Sequence, residues 1–127
     1  MAPQSKRVVV VMPAYNAART LERTVLEIPM DLVDDVVVTD DASTDETAEV
    51  AAQWADAVIT LDGPPRGPGG ARNAAAARAQ GTWLIFIDAD VRVHPTTLQR
   101  FADTVAADPM LVGVFGRVHD PSLAGTT

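Results

Sequence analysis

The amino-acid sequence predicts an α/β fold with a mostly parallel central sheet and helices on both of its faces. Three observations predict it. Apolar runs without alternation, VVVVM from Val8, DVVVT from Asp35 and WLIFI from Trp83, read as strands buried on both faces of a parallel sheet. Stretches with helical spacing of apolar residues separate them, which calls for right-handed crossovers between parallel strands. Finally, the strand-like runs end in residues that carry chemistry, as sheets of this class do where their carboxyl ends meet a ligand.

Arg7 to Met12 forms the first strand and stops at Pro13. From Ala17 to Ile28, Leu21, Val25 and Ile28 recur at helical spacing among Arg19, Glu22, Arg23 and Glu27, an amphipathic helix closed by Pro29. Asp35 to Thr39 is the second strand and runs into Asp40 and Asp41. Ser43 with Glu46 three residues on reads as a capping box opening a helix from Thr47 to Ala55. The third strand, Ala57 to Leu61, leads into a proline- and glycine-rich loop from Asp62 to Gly70. Ala71 to Gln80 is a strong helix former by composition, with Gly81 as its stop. The fourth strand then reaches Asp88 and Asp90. Pro95 opens a helix marked by Leu98, Phe101, Ala102 and Val105, and Leu111 to Phe115 is a fifth strand candidate.

A chain of 127 residues with 47% hydrophobic content buries the core of one domain, so residues 1–127 are read as a single domain. The net charge of −7 excludes a broad attraction for nucleic acid or anionic lipid, leaving room for a local phosphate site. Without cysteine there is no disulfide or thiolate metal site, so a metal must be held by oxygen or imidazole. The apolar run after Arg7 is too short for a signal peptide, and no segment approaches the roughly 18 apolar residues of a membrane helix. A soluble, cytoplasmic chain without a membrane segment is the expectation.

The strand ends offer a set of candidate groups, each with an ordinary structural reading beside the functional one. Tyr15 and Asn16 are either turn residues or a wall for a flat base. Asp40 and Asp41 are either a helix-entry acidic pair or acceptors for a base N–H or ribose hydroxyls. The loop GPPRGPGGARN spends its glycines on tight turns or on close approach to a phosphate, and it is neither a P-loop nor a dinucleotide fingerprint. Arg72, read as opening a helix, opposes the helix dipole unless an anion is shared with it. Asp88 and Asp90 are a strand stop and cap, or two carboxylates converging on a hard cation. His94 and His119 are surface residues or outer metal groups. Together the rim offers base and ribose acceptors, a cation for phosphate and a carboxylate site for Mn²⁺ or Mg²⁺, which is what a nucleoside diphosphate requires.

At these residues the chain resembles a known family. PAYN after the first strand, DDASTDET after the second, GGARN after the glycine loop and FIDAD after the fourth are similar to the N-terminal, nucleotide-sugar-binding half of glycosyltransferase family 2. The likeness runs from about Val8 to Leu98. It implies a Rossmann-like GT-A fold, a nucleotide-diphosphate sugar as donor with uridine favoured, a DXD metal motif, and inverting transfer to an acceptor hydroxyl. The resemblance implies nucleotide contacts at Pro13, Ala14, Tyr15, Asp41, Gly70, Arg72 and Asp88. Within that set Asp41 would bond the base's ring N–H and Arg72 would lie near the base or diphosphate. Asp88 would face the ribose or the metal's water shell, and Asp90 would bind the metal directly.

The family's acceptor half, with its catalytic base, would follow Gly116, where only Arg117 to Thr127 remain, so the fold reads as truncated. Asp120 is the sole carboxylate of that tail and the catalytic base stays unassigned. The acceptor is likewise unidentified. The competing readings are a nucleotide-sugar-binding module without turnover and an inactive fragment that pairs with a second copy through the uncovered Leu111–Phe115 run. A sugar nucleotidyltransferase shares the sheet, but would carry a glycine-rich basic clamp where PAYN stands.

Overall fold

The computed structural model describes residues 7–108 and 110–113. They fall into two compact units divided between Pro95 and Thr96.

The first unit is built on a parallel four-stranded sheet of β1 (Val8–Ala14), β2 (Asp35–Asp40), β3 (Ala57–Thr60) and β4 (Trp83–Phe86), in the order β3-β2-β1-β4. Every pairing is parallel, with Val10 opposite Val36 on one side of β1 and Ile85 on the other. β1 is the central strand that its unbroken valine run requires: Val9, Val10, Val11 and Met12 are all at most 1% exposed.

Three helices complete this unit: α1 (Leu21–Leu26), α2 (Thr47–Trp54) and α3 (Gly67–Arg78). The chain steps from β1 to β2 to β3 in one direction and then returns past β1 to β4. Right-handed crossovers therefore put α1 and α2 on one face and α3 on the other. α1 and α2 touch each other, while α3 packs on β1 and β2. On the α3 face Ala75 closes over Val9, Val11 and Val37. The small side chains of the alanine-rich helix let it sit close to the β-branched strands. On the opposite face Val10, Met12, Val36 and Val38 are buried, and so are Leu21 and Val25 of α1. Each such side chain contributes roughly 1.5–3 kcal/mol by leaving water. That burial, rather than helix propensity, sustains α1, because a six-residue helix is far below the length that holds itself in water.

The return past β1 creates the topological switch point. β1 and β4 lie side by side, yet α1 leaves β1 on one face of the sheet while α3 leads into β4 from the other. A crevice opens between them.

Several sequence expectations are corrected. Among the described residues β4 is the outermost strand of the sheet, with Trp83 to Ile85 half-buried and Phe86 51% exposed, not a strand buried on both faces. Its apolar run covers one edge of the sheet instead of crossing its middle. α1 is shorter than expected, since residues 18–20 form a turn before it. The capping box does not form. Ser43 Oγ instead accepts the Asn16 N–H at 2.9 Å, and Asp45 supplies the acceptor for the Thr47 N–H at 3.0 Å. α3 begins at Gly67, four residues before the expected start at Ala71.

The second unit contains α4 (Thr97–Ala107), which matches the helix expected after Pro95. Of the fifth strand candidate, residues 111–113 are not in a strand, and Val114 and Phe115 lie outside the described residues. His119 and Asp120 lie outside them too.

Candidate functional site

Beyond the carboxyl ends of β1 and β4 lies a cleft of about 740 Å³. Its lining includes Pro13, Ala14 and Tyr15 from the end of β1, Asp41 from the end of β2, and Asp88 and Asp90 from the end of β4. Of the eight nucleotide and metal contacts that the family resemblance implies, six therefore share one cavity. Two do not line it. Gly70 lies in the first turns of α3, where a Cβ would stand 2.8 Å from the Arg66 Cβ, so its lack of a side chain serves helix packing. Arg72 also lies outside the lining and reaches Asp88 instead.

The β1 and β2 side of the cleft is braced by side chains that hold backbone. Three consecutive amides after β1 donate into the DDASTDET segment: Asn16 N–H to Ser43 Oγ at 2.9 Å, Ala17 N–H to Thr47 Oγ1 at 2.9 Å and Ala18 N–H to Asp45 Oδ2 at 3.3 Å. In return the Thr44 N–H donates to Asn16 Oδ1 at 2.8 Å. This reciprocal lacing holds Asn16 and Ala42 at φ of 47° and 58°, the left-handed region that costs a side-chain-bearing residue roughly 1–2 kcal/mol. Asp40, 4% exposed, accepts the Ser43 N–H. Burial raises the Asp45 carboxyl, but the Thr47 hydroxyl and the Thr47 and Ala18 amides outweigh it and hold Asp45 below its ordinary value of 3.8.

Asp41 ties the glycine loop to this wall. It is 2% exposed, and its two oxygens accept the Arg66 and Gly67 N–H groups, each at 2.8 Å. Those amides belong to the start of α3, so Asp41 supplies from β2 the cap that the helix lacks locally. With Pro68 in its first turn and Gly67 at φ of 83°, the chain turns into the helix directly from that anchor. Gly67 and Pro68 thereby line the cleft. This explains the early start of α3, and it removes the conflict expected for Arg72, which lies beyond the first turn. Arg72 Nη2 is paired with Asp88 Oδ1 at 3.0 Å, with the side chains 38% and 46% exposed.

The β4 side is held the opposite way, by side chains of α1 gripping backbone carbonyls of the acidic turn. Thr20 Oγ1 donates to the Ala89 carbonyl at 2.9 Å. The Thr24 hydroxyl proton is shared between the carbonyls of Ala89 at 3.1 Å and Val91 at 2.8 Å. Arg23 reaches the Asp90 carbonyl at 3.3 Å. Glu27 accepts the Val93 N–H at 3.0 Å and pairs with Arg92 at 2.9 Å. The Arg92 side chain, then the Val93 amide, hold the Glu27 carboxyl below its ordinary value of 4.5. Sequence reasoning missed Thr20 and Thr24. Their one signal is a pair of threonines spaced by four on a short helix.

Two carboxylates in one cleft are a donor set of hard oxygens. Among the described residues no group of three or more His, Cys, Asp or Glu could by itself cage a metal. A divalent cation here would take Asp90, with Asp88 beside it, and complete its shell from water and phosphate oxygens, the usual arrangement for Mg²⁺ at a nucleotide. Asp90 fits that part, being exposed at the cleft and, among the described residues, with its carboxylate clear of the hydrogen bonds and ion pairs that engage Asp40, Asp41, Asp45 and Asp88.

A parallel sheet of order β3-β2-β1-β4 with an acidic cleft at its switch point has the GT-A architecture, and its structural neighbours are GT-A glycosyltransferases. The model of the family described as Glycosyl transferase family 2 matches residues 9–124, and the chain belongs to that family. It is 38% identical over 102 residues to the succinoglycan biosynthesis protein ExoO of Rhizobium meliloti, an alignment covering 76% of this chain and 29% of that protein. Staphylococcus aureus TarS in complex with UDP-GlcNAc superposes with a TM-score of 0.71 at 26% identity, over 92% of this chain and 38% of that one. Glucosyl-3-phosphoglycerate synthase of Mycobacterium tuberculosis, solved with Mn²⁺, UDP and glucosyl-3-phosphoglycerate, superposes with a TM-score of 0.61 at 30% identity, over 85% and 40%. The chain thus spans well under half the length of these relatives. Among the described residues no helix is long and apolar enough to cross a membrane.

Proposed function

We propose that this chain is the donor-binding domain of a glycosyltransferase, one that holds a nucleotide-diphosphate sugar, with a UDP-sugar favoured, for inverting transfer to an acceptor hydroxyl. The observation that carries the reading is the convergence of Tyr15, Asp41, Asp88 and Asp90 on one cleft at the switch point of the sheet. UDP-GlcNAc in one solved relative and UDP with Mn²⁺ in another support the choice of nucleotide and metal.

In this reading Tyr15, 52% exposed at the rim, offers its ring face to the base, with Pro13 and Ala14 as the floor beside it. Asp41 receives the base's ring N–H on lone pairs that the Arg66 and Gly67 amides leave free. Arg72 and Asp88 serve the ribose and diphosphate side, and Asp90, as the second acid of a DXD motif, is the direct ligand of Mn²⁺ or Mg²⁺. Bound there, the cation would neutralise charge on the departing diphosphate. The general base for the acceptor lies outside the set of residues gathered here.

Isothermal titration with UDP, GDP and TDP, each with Mn²⁺ and with chelator, tests the reading. UDP affinity that Mn²⁺ strengthens is the expected result, and an affinity that Mn²⁺ leaves unchanged, or no binding, overturns it. Labelled UDP-sugar then separates a transferase, which hydrolyses or transfers it, from a module that only binds.

A further inference from the structure

The side chains of α1 and of its two cap residues, Thr20 and Glu27, that face the acidic turn form one polar stripe. Thr20, Arg23, Thr24 and Glu27 are spaced by three and four, which places them on a single helix face. Their partners are consecutive. Thr20 and Thr24 hold the peptide between Ala89 and Asp90 through the Ala89 carbonyl, and Arg23 holds the next through the Asp90 carbonyl. Thr24 holds the third through the Val91 carbonyl, and Glu27 holds the fourth through the Val93 N–H. Four successive peptide planes are thus gripped by one helix. The planes on either side of Asp90 set its φ and ψ, and so the direction in which its Cβ leaves the backbone.

We infer that Thr24 is a positioning residue that aims the Asp90 carboxylate into the cleft for a divalent cation bound with a nucleoside diphosphate. The inference rests on the donor-site reading above. Thr24 is fully buried, at 0% exposure, and a hydroxyl there has a cost unless its hydrogen bonds matter. Its single proton is spent on two carbonyls that flank Asp90. Valine would fill nearly the same volume, so packing alone does not call for threonine. The arrangement leaves Asp90 itself without a structural task. Its backbone is anchored by other residues, which keeps the carboxylate available to a ligand at little cost in ordering when the ligand arrives. Groups that orient a metal ligand without touching the metal typically change metal affinity by about 10–100-fold.

The test compares Thr24→Val, Thr24→Ser and Asp90→Asn by titrating Mn²⁺ into each protein saturated with UDP, and by measuring UDP affinity in chelator. Amide hydrogen exchange is read at Val91, whose N–H closes the turn onto the Asp88 carbonyl at 3.3 Å. Thr24→Val should weaken Mn²⁺ by about tenfold and speed exchange at Val91, with metal-free UDP affinity and exchange at Val11 unchanged. Thr24→Ser, which keeps the hydroxyl, should restore both. Unchanged Mn²⁺ affinity in Thr24→Val overturns the inference, as does equal loss in Val and Ser, or a parallel loss of metal-free UDP affinity. If Asp90→Asn leaves Mn²⁺ dependence intact, the donor-site reading fails first and the clamp loses its purpose. If Asp90→Asn abolishes that dependence and Thr24→Val does not alter it, the positioning role alone fails.

Discussion

The two walls of the cleft use the same residue type in opposite ways. On the β1 and β2 side, aspartates are structural: Asp40, Asp41 and Asp45 accept backbone amides, and the first two are almost wholly buried. On the β4 side, the backbone around the acidic turn is held by threonines and an arginine of α1, and the aspartates stand at the surface. A carboxylate that caps amides builds a rigid rim and keeps only its remaining lone pairs for a ligand. A carboxylate whose backbone is anchored by others is free for chemistry. Equal counts of aspartate at two strand ends therefore do not mean equal roles.

The sharpest way to break this contrast is to remove one aspartate from each wall. Asp41→Ala removes the carboxylate that caps two amides at the start of α3, and a loss of about 2 kcal/mol in urea-unfolding free energy, the upper end for a lost helix cap, is expected. Asp90→Ala should change the same quantity by no more than about 0.5 kcal/mol, as surface substitutions do. Comparable losses in both would dissolve the distinction between the walls. On the ligand side the order reverses, with Asp90→Asn removing Mn²⁺-dependent UDP affinity while the unfolding midpoint stays in place.

Arg72→Ala probes the ion pair that an acidic-turn carboxylate, Asp88, makes among the described residues. An exposed pair of this kind contributes between about 0 and 1 kcal/mol, so the fold should barely register the change. Binding should register it more, with UDP weakened beyond uridine. Equal losses for the two ligands would assign Arg72 to the base instead of the diphosphate.

The smallest effect concerns pH. Glu27 has a lowered carboxyl value in the folded chain, so its contribution is fully present above its ordinary 4.5 and is lost as pH falls through the lowered value. Below 4.5 the unfolded chain takes up a proton before the folded one does, and stability falls with pH. Denaturation midpoints measured from pH 7 to pH 3 should decline less steeply in Glu27→Gln. An identical decline in both proteins would show that Glu27 is not part of the clamp.

Much of the fold is legible in the sequence because it is encoded locally. Unbroken valine runs mark β1 and β2, and the spacing of Leu21 and Val25 marks α1. Strand order is not local. WLIFI reads the same in the middle of a sheet as at its edge, and only the return crossover through α3 places β4 beside β1, outermost among the described strands. The start of α3 escaped the local reading because its cap comes from Asp41, 26 residues before Gly67. The site shows the same division. Tyr15, Asp41, Asp88 and Asp90 announce themselves as polar residues ending apolar runs. Thr20 and Thr24 look like minor flaws in a helix until the carbonyls 65 to 69 residues away are seen beside them.

The anchoring of the glycine loop by Asp41 has a kinetic meaning. A loop with three prolines and four glycines would otherwise sample many shapes, and a ligand would wait for the right one or close it after landing. Two charge-assisted bonds to a buried carboxylate hold that stretch in one shape before any ligand comes. Encounter then meets a finished wall, so the speed of association is governed by diffusion and charge, and selectivity is expressed in how long the visitor stays.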